Sequence, residues 1–234
     1  MIKFENTEVV GWKHSVLGCR NPMNSWEKSD SGYFCGDKKC SIIEGCNLCC
    51  DIPHYRIGPN DLDLMKRLRN AGTDHRKFMR MITVYTDITA PLYWWKEFDT
   101  YKIGTVANSC STMHKIHEKE FTLDDFSHEH LLLCDDEIEE FYKHCDSILP
   151  INDLGYDIEK LNLYRKIFLE TNDKKWWWLM IQRLPSNYNQ KRTVMLNYEV
   201  LANIYESRKN HKLDEWSVGF IEWIESLPYS ELIC

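Results

Sequence analysis

A chain of 234 residues, 43% hydrophobic and 28% charged, has the composition of an ordinary globular protein with one sizeable core. Its formal net charge of −7 argues against a nonspecific nucleic-acid binder, which would be basic, but a basic pocket for one anionic ligand remains compatible with it. No stretch approaches the roughly 20 apolar residues of a membrane span, and the start lacks the apolar run of a signal peptide, so we expect a cytoplasmic protein without a membrane partner.

The first predicted elements are bounded by residues that begin or break secondary structure. Residues 1–10 predict a strand, and residues 11–20 predict a short helix that Asn21-Pro22 breaks. Further along, Asn60-Asp61 is a good N-cap for a helix that Gly72 ends. Together these segments predict a strand followed by two helices.

The central stretch combines a strand with a dense polar segment. Hydrophobic residues alternate from Ile82 to Ile88, which predicts a strand that stops at Ala90-Pro91, and a short aromatic helix follows. Residues 99–114 then collect hydroxyl, amide, thiol and imidazole groups without helical or strand periodicity. Such a segment is either a solvated loop or a ligand cradle.

Five of the ten cysteines fall within sixteen residues. In a chain of this size without a secretion signal, cysteines are free thiols or metal ligands rather than disulfides. The spacing C-x4-C-x5-C-x2-C contains one CxxC step, and four thiolates would complete a tetrahedral structural zinc site. The candidate ligands are Cys35, Cys40, Cys46 and Cys49.

From Thr122 onwards the pattern is almost entirely helical. Thr122-x-x-Asp125 predicts a capping box. The predicted helices span residues 135–148, 153–170, 192–208 and 214–227. The helix 192–208 contains a polar series that either brackets a ligand or is exposed to solvent, namely Asn197, Asn203 and Arg208, with His211 beyond its end.

Nucleotide-binding glycine loops, nucleophile elbows and zinc-protease motifs are absent from the sequence, so function must be sought in scattered residues. The order of a helix, His75-x-x-Phe78, a strand, Ala90-Pro91, an aromatic helix, a polar loop and a helix with Asn197, Asn203 and Arg208 resembles the flavin-dependent thymidylate synthases. The resemblance covers roughly residues 57–225.

The resemblance implies a fold and a reaction. The fold is α/β (α+β), with a curved antiparallel sheet flanked by helices and a mostly helical C-terminal half. We expect a single domain over residues 1–234, with a cysteine-rich insertion at about residues 32–53. The reaction converts dUMP to dTMP with methylenetetrahydrofolate and NADPH, and the FAD and nucleotide sites are shared between the subunits of a homotetramer.

The resemblance also assigns residues. Those implied in FAD binding are His75, Lys102, Asn108, Asn197, Asn203 and His211. Those implied in nucleotide binding are Glu97, Ser109, Ser111 and Arg208. Arg208 would polarise the pyrimidine, since a cation near the carbonyl stabilises charge developing on the ring, and Ser111 would donate a hydrogen bond without acting as a nucleophile.

The chain departs from the most specific motifs of this family. Thr100-Tyr101-Lys102 stand for Arg-His-Arg, and Met113-His114 stand for Arg-Tyr. Each arginine lost from a phosphate clamp removes a charge-assisted bond worth about 1.5–3 kcal/mol. Two alternatives therefore stay open: a flavoprotein of the same fold that acts on another pyrimidine nucleotide, and a non-catalytic oligomeric scaffold.

Overall fold

The computed structural model describes residues 2–35, 38–39 and 54–234. In this part of the chain the strands are β1 (Lys3–Val10), β2 (Gly32–Cys35), β3 (Lys38–Lys39), β4 (His54–Arg56), β5 (Thr83–Pro91), β6 (Val106–Ser109) and β7 (Asn189–Asn197). The helices are α1 (Trp12–Arg20), α2 (Pro59–Asn70), α3 (Leu92–Phe98), α4 (Asp135–His144), α5 (Pro150–Thr171), α6 (Lys174–Arg183), α7 (Tyr198–Arg208) and α8 (Ile221–Glu225), the last preceded by a π-helical turn at Glu215–Phe220. None of these helices is long and apolar enough to cross a membrane.

Two sheets organise the described strands. One has four strands in the order β1-β5-β7-β6, and the other has three in the order β3-β2-β4. In the smaller sheet β2 pairs antiparallel with both neighbours, with Gly32 opposite Arg56 and Phe34 opposite Lys39. The predicted α/β class with antiparallel sheets and a mostly helical C-terminal half is confirmed.

The chain forms two compact units, each assembled from separate segments. Unit 1 consists of Met1–Phe4, Asp87–Thr100 and Ala107–Thr193. Unit 2 consists of Glu5–Thr86, Tyr101–Val106 and Val194–Cys234. The single domain over residues 1–234 stays a prediction, and most of the cysteine-rich insertion lies outside the described residues.

Unit 1 has a core formed where α5 and α6 pack together with the segment before them. Its buried members are Ile116, Phe121, Phe126, Leu154, Leu161 and Met180. The predicted aromatic helix is confirmed as α3, in which Trp94, Trp95 and Phe98 are buried with ring centres 4.9–5.3 Å apart. Aromatic pairs in edge-to-face and stacked geometry stabilise such a helix beyond simple burial.

Unit 2 buries α7 against the 3-10 segment Arg76–Met81 and against α8. Leu201 and Ile204 of α7 are buried, as are Trp216 and Phe220, whose ring centres lie 5.2 Å apart. The apolar residues of α7 recur at a spacing of three, so one side of the helix faces this core. The other side is left for polar residues.

Several predicted elements differ from the structure. The predicted helix 135–148 ends at His144, and three larger differences follow. The helix 192–208 is wrong in its first six residues, because β7 continues to Asn197 and α7 begins only at Tyr198. Val194 and Leu196 are both fully buried, which is the period of two of a strand. The segment 99–114 contains the strand β6, although no strand was predicted there.

The third difference is the start of α2. The helix begins at Pro59 after Gly58, so Asp61 lies inside its first turn and is not the N-cap. The carboxylate of Asp30 accepts the backbone N–H groups of Asn60 (2.9 Å) and Asp61 (3.2 Å). A carboxylate distant in sequence thus satisfies the helix N-terminus and complements its dipole. The predicted capping box of Thr122 and Asp125 is confirmed, around a short 3-10 turn.

Candidate functional site

The segment Tyr101–Val106, the first part of the predicted polar loop, lies along α7 within unit 2. The hydroxyl of Tyr101 accepts a hydrogen bond from Nε of Arg208 (2.8 Å) and lies 3.2 Å from Oγ of Ser207. Gly104 adopts a φ of 77°, and a methyl group there would lie 2.8 Å from Nδ2 of Asn197. This close approach requires glycine and places the loop against two candidate residues, Asn197 at the start of α7 and Arg208 at its end.

Arg208 is held in an aromatic setting. Its guanidinium lies 4.8 Å from the ring centre of the buried Trp216 and 5.6 Å from that of Tyr101. The ring of His211 meets Trp216 edge to face at 6.4 Å, and Nδ1 of His211 accepts the backbone N–H of Leu213 (3.2 Å). Cation–π contacts of a half-buried arginine limit its conformations without neutralising its charge. Arg208 is therefore an oriented cation, and His211 contacts the same Trp216 ring.

Asn197 occupies the junction of β7 and α7. Its Oδ1 accepts the backbone N–H of Val200 (3.0 Å), which makes it the N-cap of α7. The backbone N–H of Tyr198 donates to the carbonyl of Ile82 (3.1 Å). The cap uses the amide oxygen, so the Nδ2 donor is the group of Asn197 that remains for a ligand.

Asn203 is exposed on α7 and is fixed by a charged cluster. Its Oδ1 accepts from a terminal nitrogen of Arg76 (2.9 Å), whose Nε lies 3.4 Å from a carboxylate oxygen of Glu199. Arg80 pairs with the same carboxylate. Glu199 is buried, and both arginines pair with this one buried acid. With its oxygen engaged, Asn203 offers two N–H donors outwards.

The remaining cofactor candidates of unit 2 are a solvent-exposed histidine and a solvent-exposed lysine. His75 precedes the Arg76–Met81 segment, and Lys102 follows Tyr101. Both side chains are exposed. An imidazole and an ammonium group are donors suited to an anionic group such as a diphosphate.

The candidates of unit 1 lie on α3, on β6 and in the turn after β6. Glu97 is half-buried on α3, whereas Asn108 and Ser109 are exposed on β6, an end strand of the four-stranded sheet. Oγ of Ser111 accepts the backbone N–H groups of Met113 (3.2 Å) and His114 (2.8 Å). The hydroxyl of Ser111 therefore closes a local turn and still has its O–H to donate.

A network that sequence reasoning missed anchors this turn. Gln190 of β7 donates from Nε2 to the backbone carbonyl of Cys110 (2.9 Å). Its own backbone carbonyl accepts from Nε1 of Trp95 (2.9 Å). Arg192 donates to Oε1 of Gln190 (2.9 Å) and to Asp99 (2.7 Å), and stacks 4.1 Å above Trp95. Recognition of β7 as a strand would have placed Gln190 and Arg192 on one face, two residues apart.

The predicted zinc ligands cannot be placed by geometry. Cys40, Cys46 and Cys49 lie outside the described residues, and so does the side chain of Cys35. Within the part of the chain that the structure describes, no group of three His, Cys, Asp or Glu side chains has the geometry to hold a metal ion. The zinc site stays a prediction.

Comparison with known proteins identifies the fold. No family model and no curated protein matches this chain in sequence. Two crystal structures of thymidylate synthase X (ThyX) from Helicobacter pylori, each with FAD and dUMP, match it with a TM-score of 0.63 and 16% sequence identity. The match covers 99% of this chain and 96% and 97% of the two ThyX chains.

The chain has the ThyX fold. The resemblance inferred from sequence is thus confirmed at the level of fold and over nearly the whole chain. At 16% identity the likeness reaches no further than the fold, so the roles of individual residues stay predictions. What the structure adds within the ThyX fold is the local geometry: oriented groups along α7 and a fixed turn at Ser111.

Proposed function

We propose that this protein is a flavin-dependent methyltransferase that converts dUMP to dTMP, with FAD as cofactor and with methylenetetrahydrofolate and NADPH as co-substrates. The observation that supports the proposal is the whole-chain likeness to ThyX structures that contain FAD and dUMP. A ThyX-like assembly would be a homotetramer with sites shared between subunits, and we expect it in the cytoplasm.

The donor groups of unit 2 fit FAD. Asn203 and Asn197 present amide N–H groups, while His75, Lys102 and His211 add imidazole and ammonium groups. The guanidinium groups of Arg76 and Arg80, which pair with Glu199, would attract a diphosphate. When bound, FAD would supply the redox chemistry that transfer from methylenetetrahydrofolate requires. The role of the protein's own residues would be to bind and orient the cofactor.

The nucleotide roles follow from hydrogen-bonding capacity. Arg208, oriented by Tyr101 and Trp216, would stabilise the negative charge that develops on the pyrimidine carbonyl during reaction. Ser111 would donate its O–H, and Ser109 would add a second hydroxyl. Glu97 would accept from the nucleotide, where the family has a glutamine that both donates and accepts.

A second candidate is the same chemistry on another pyrimidine nucleotide. The observation that favours it is Tyr101, which stands within the family's Arg-His-Arg motif and here bonds to Arg208. A tyrosine there cannot replace a cation of a phosphate clamp. Thermal stabilisation by a panel of pyrimidine nucleotides distinguishes the two, because a ligand of the folded state raises stability by RT ln(1 + [L]/Kd).

The decisive experiment is an absorption spectrum of the purified protein, followed by NADPH oxidation with and without dUMP. We expect flavin bands, faster NADPH oxidation with dUMP, and dTMP as product when methylenetetrahydrofolate is present. A protein that remains colourless after incubation with FAD would overturn the proposal and leave the scaffold alternative. A flavin-containing protein whose rate of NADPH oxidation does not change with dUMP would overturn the assignment as a thymidylate synthase.

Arg208→Ala should lower dUMP-stimulated NADPH oxidation by about a hundredfold or more, the usual effect of removing one oriented electrostatic stabiliser. The matched control is Lys209→Ala, the next residue, an exposed cation that pairs with Glu206. It should change the rate by less than about twofold, because exposed ion pairs contribute little. Equal losses in both variants would refute a specific role for Arg208.

A further inference from the structure

Unit 1 contains a pocket that none of the roles above uses. Its volume is about 310 Å³. The lining residues that matter below are Met113, His117, Phe168, Lys174, Trp177 and Trp178. Ser111 does not line the pocket, but its Oγ accepts the backbone N–H groups of two lining residues, Met113 and His114. The residues from α5 and α6 have no counterpart among the positions that the resemblance assigns.

The aromatic walls are held in place before any ligand arrives. Nε1 of Trp177 donates to the carbonyl of Met113 (2.8 Å). Trp178 meets Trp177 edge to face at 5.0 Å, and its side chain is half exposed. On another wall, the ring of His117 meets Phe168 at 5.0 Å with an interplanar angle of 75°. Rigid, partly exposed rings bind planar ligands at a small entropic cost.

Two polar groups of the pocket lack partners within the described residues. Nδ1 of His117 is buried and has no hydrogen bond. A buried polar atom without a partner destabilises the folded protein, so a ligand that bonds to it removes that penalty. Lys174, at the start of α6, forms no ion pair with a described side chain, and its ammonium group is available to an anion.

We propose that this pocket binds a planar heteroaromatic anion, stacked against Trp178, hydrogen-bonded to His117 and paired through its charge with Lys174. A nucleotide phosphate and an aromatic carboxylate share this chemistry. None of the residues assigned above to FAD or dUMP lines this pocket, although Met113 adjoins the turn at Ser111, and the proposal does not depend on those assignments.

The test measures binding of AMP, adenosine and nicotinate to the purified full chain by calorimetry, together with quenching of tryptophan fluorescence. AMP supplies a ring with a phosphate, adenosine the same ring without charge, and nicotinate a ring with a carboxylate. We expect AMP to bind more tightly than adenosine and to quench the fluorescence. Comparison of AMP with nicotinate identifies the preferred anion.

Matched variants separate the pocket from general surface effects. Lys174→Met should weaken AMP binding by about tenfold or more and leave adenosine binding unchanged, because only AMP loses a charge-assisted contact. Lys175→Met is the control, since Lys175 lies over the ring of Trp176 and does not line the pocket. Trp178→Ala should weaken both ligands, and Trp176→Phe should weaken neither.

Three results would overturn the proposal. One is the absence of binding by both AMP and nicotinate at about 5 mM, where even weak sites are occupied. Another is an equal effect of Lys174→Met and Lys175→Met in variants with wild-type thermal stability. The third is displacement of AMP by equimolar dUMP, which would show that AMP binds at the proposed dUMP site. A protein that does not bind flavin could still be tested in all three ways, so failure of the proposed function and failure of this proposal are distinguishable.

Discussion

Asp61 is a heavily engaged buried charge of unit 2. Its carboxylate accepts from Nε of Arg20 (2.7 Å), Oγ of Ser29 (2.6 Å), and both the N–H (3.1 Å) and Oγ (2.5 Å) of Ser31. Asp61 is 1% exposed. A satisfied buried pair is costly to break because the surviving partner remains desolvated. The network joins α1, α2 and the loop between them.

Asp61→Ala should lower the free energy of unfolding by about 3–5 kcal/mol, the typical result of leaving a buried arginine unpaired. Asp63→Ala is the control on the same helix, where the carboxylate pairs with Arg67 and both side chains are about two-thirds exposed. That change should cost less than about 0.5 kcal/mol. Urea denaturation measures both values, and similar losses would show that the network is not a stabilising unit.

The same residue predicts a pH dependence. Burial alone would raise the pKa of Asp61, but hydrogen bonds from Ser29, Ser31 and Arg20 outweigh it and hold the pKa below its ordinary value of 3.8. A depressed pKa in the folded state means that protonation opposes folding, so the stabilisation is complete above that ordinary value and is lost as pH falls through the folded-state pKa.

The difference in unfolding free energy between wild type and Asp61→Asn should therefore be constant near neutral pH and shrink below about pH 4. Denaturation curves of both proteins at a series of pH values measure that difference. A gap that widens on acidification would contradict the assigned direction of the pKa shift.

At the scale of elements, the junction of β7 and α7 shows the limit of periodicity. Val194, Asn197, Leu201 and Ile204 are spaced by three and four, which satisfies a helix, while Val194 and Leu196 satisfy a strand. Both patterns are present in one short segment, and pairing with other strands decides between them. No local signal shows that pairing, whereas the predictions of α3 and β1, where no second pattern competes, are correct.

Asn197 has two separable duties, the N-cap of α7 and the proposed contact with FAD. Asn197→Ala should lower the free energy of unfolding by about 1 kcal/mol and also weaken FAD binding. Asn197→Asp keeps the capping oxygen and removes the amide donors, so stability should be retained while FAD binding is lost. Thermal melts and flavin titration give the two readouts. Full FAD affinity in Asn197→Asp would remove this residue from the cofactor site.

Gly104 lets the polar loop pack closely against the junction of β7 and α7. A methyl group there would lie 2.8 Å from Asn197 and 3.0 Å from Val200, at a φ of 77°. Gly104→Ala should therefore lower the free energy of unfolding by about 1–2 kcal/mol, measured by urea denaturation. Gly155→Ala is the control, because that position on α5 has open space around it and alanine favours helices. A neutral Gly104→Ala would show that the loop is not packed against α7.

At the scale of the whole molecule, the family resemblance predicted the fold from the order of elements, and that order persists at 16% identity. The resemblance did not predict the partners that hold the candidate residues. Asn203 depends on Arg76 across 127 positions, and the turn at Cys110 depends on Gln190 across 80. Such long-range partners arise from tertiary packing, which one sequence does not reveal.

The proposed sharing of sites between subunits has a sharp consequence. Arg208→Ala and Ser111→Ala should each be inactive when pure. Suppose that a site takes Arg208 from one subunit and Ser111 from another. In an equimolar mixture that exchanges subunits, about half of the sites receive an intact Arg208, and about half of those also receive an intact Ser111. The mixture should therefore regain about a quarter of wild-type activity. Dissociation, mixing and reassociation followed by the NADPH assay measure this recovery. Both variants treated alone serve as controls, and a mixture as inactive as its components would show that each site takes both residues from one chain.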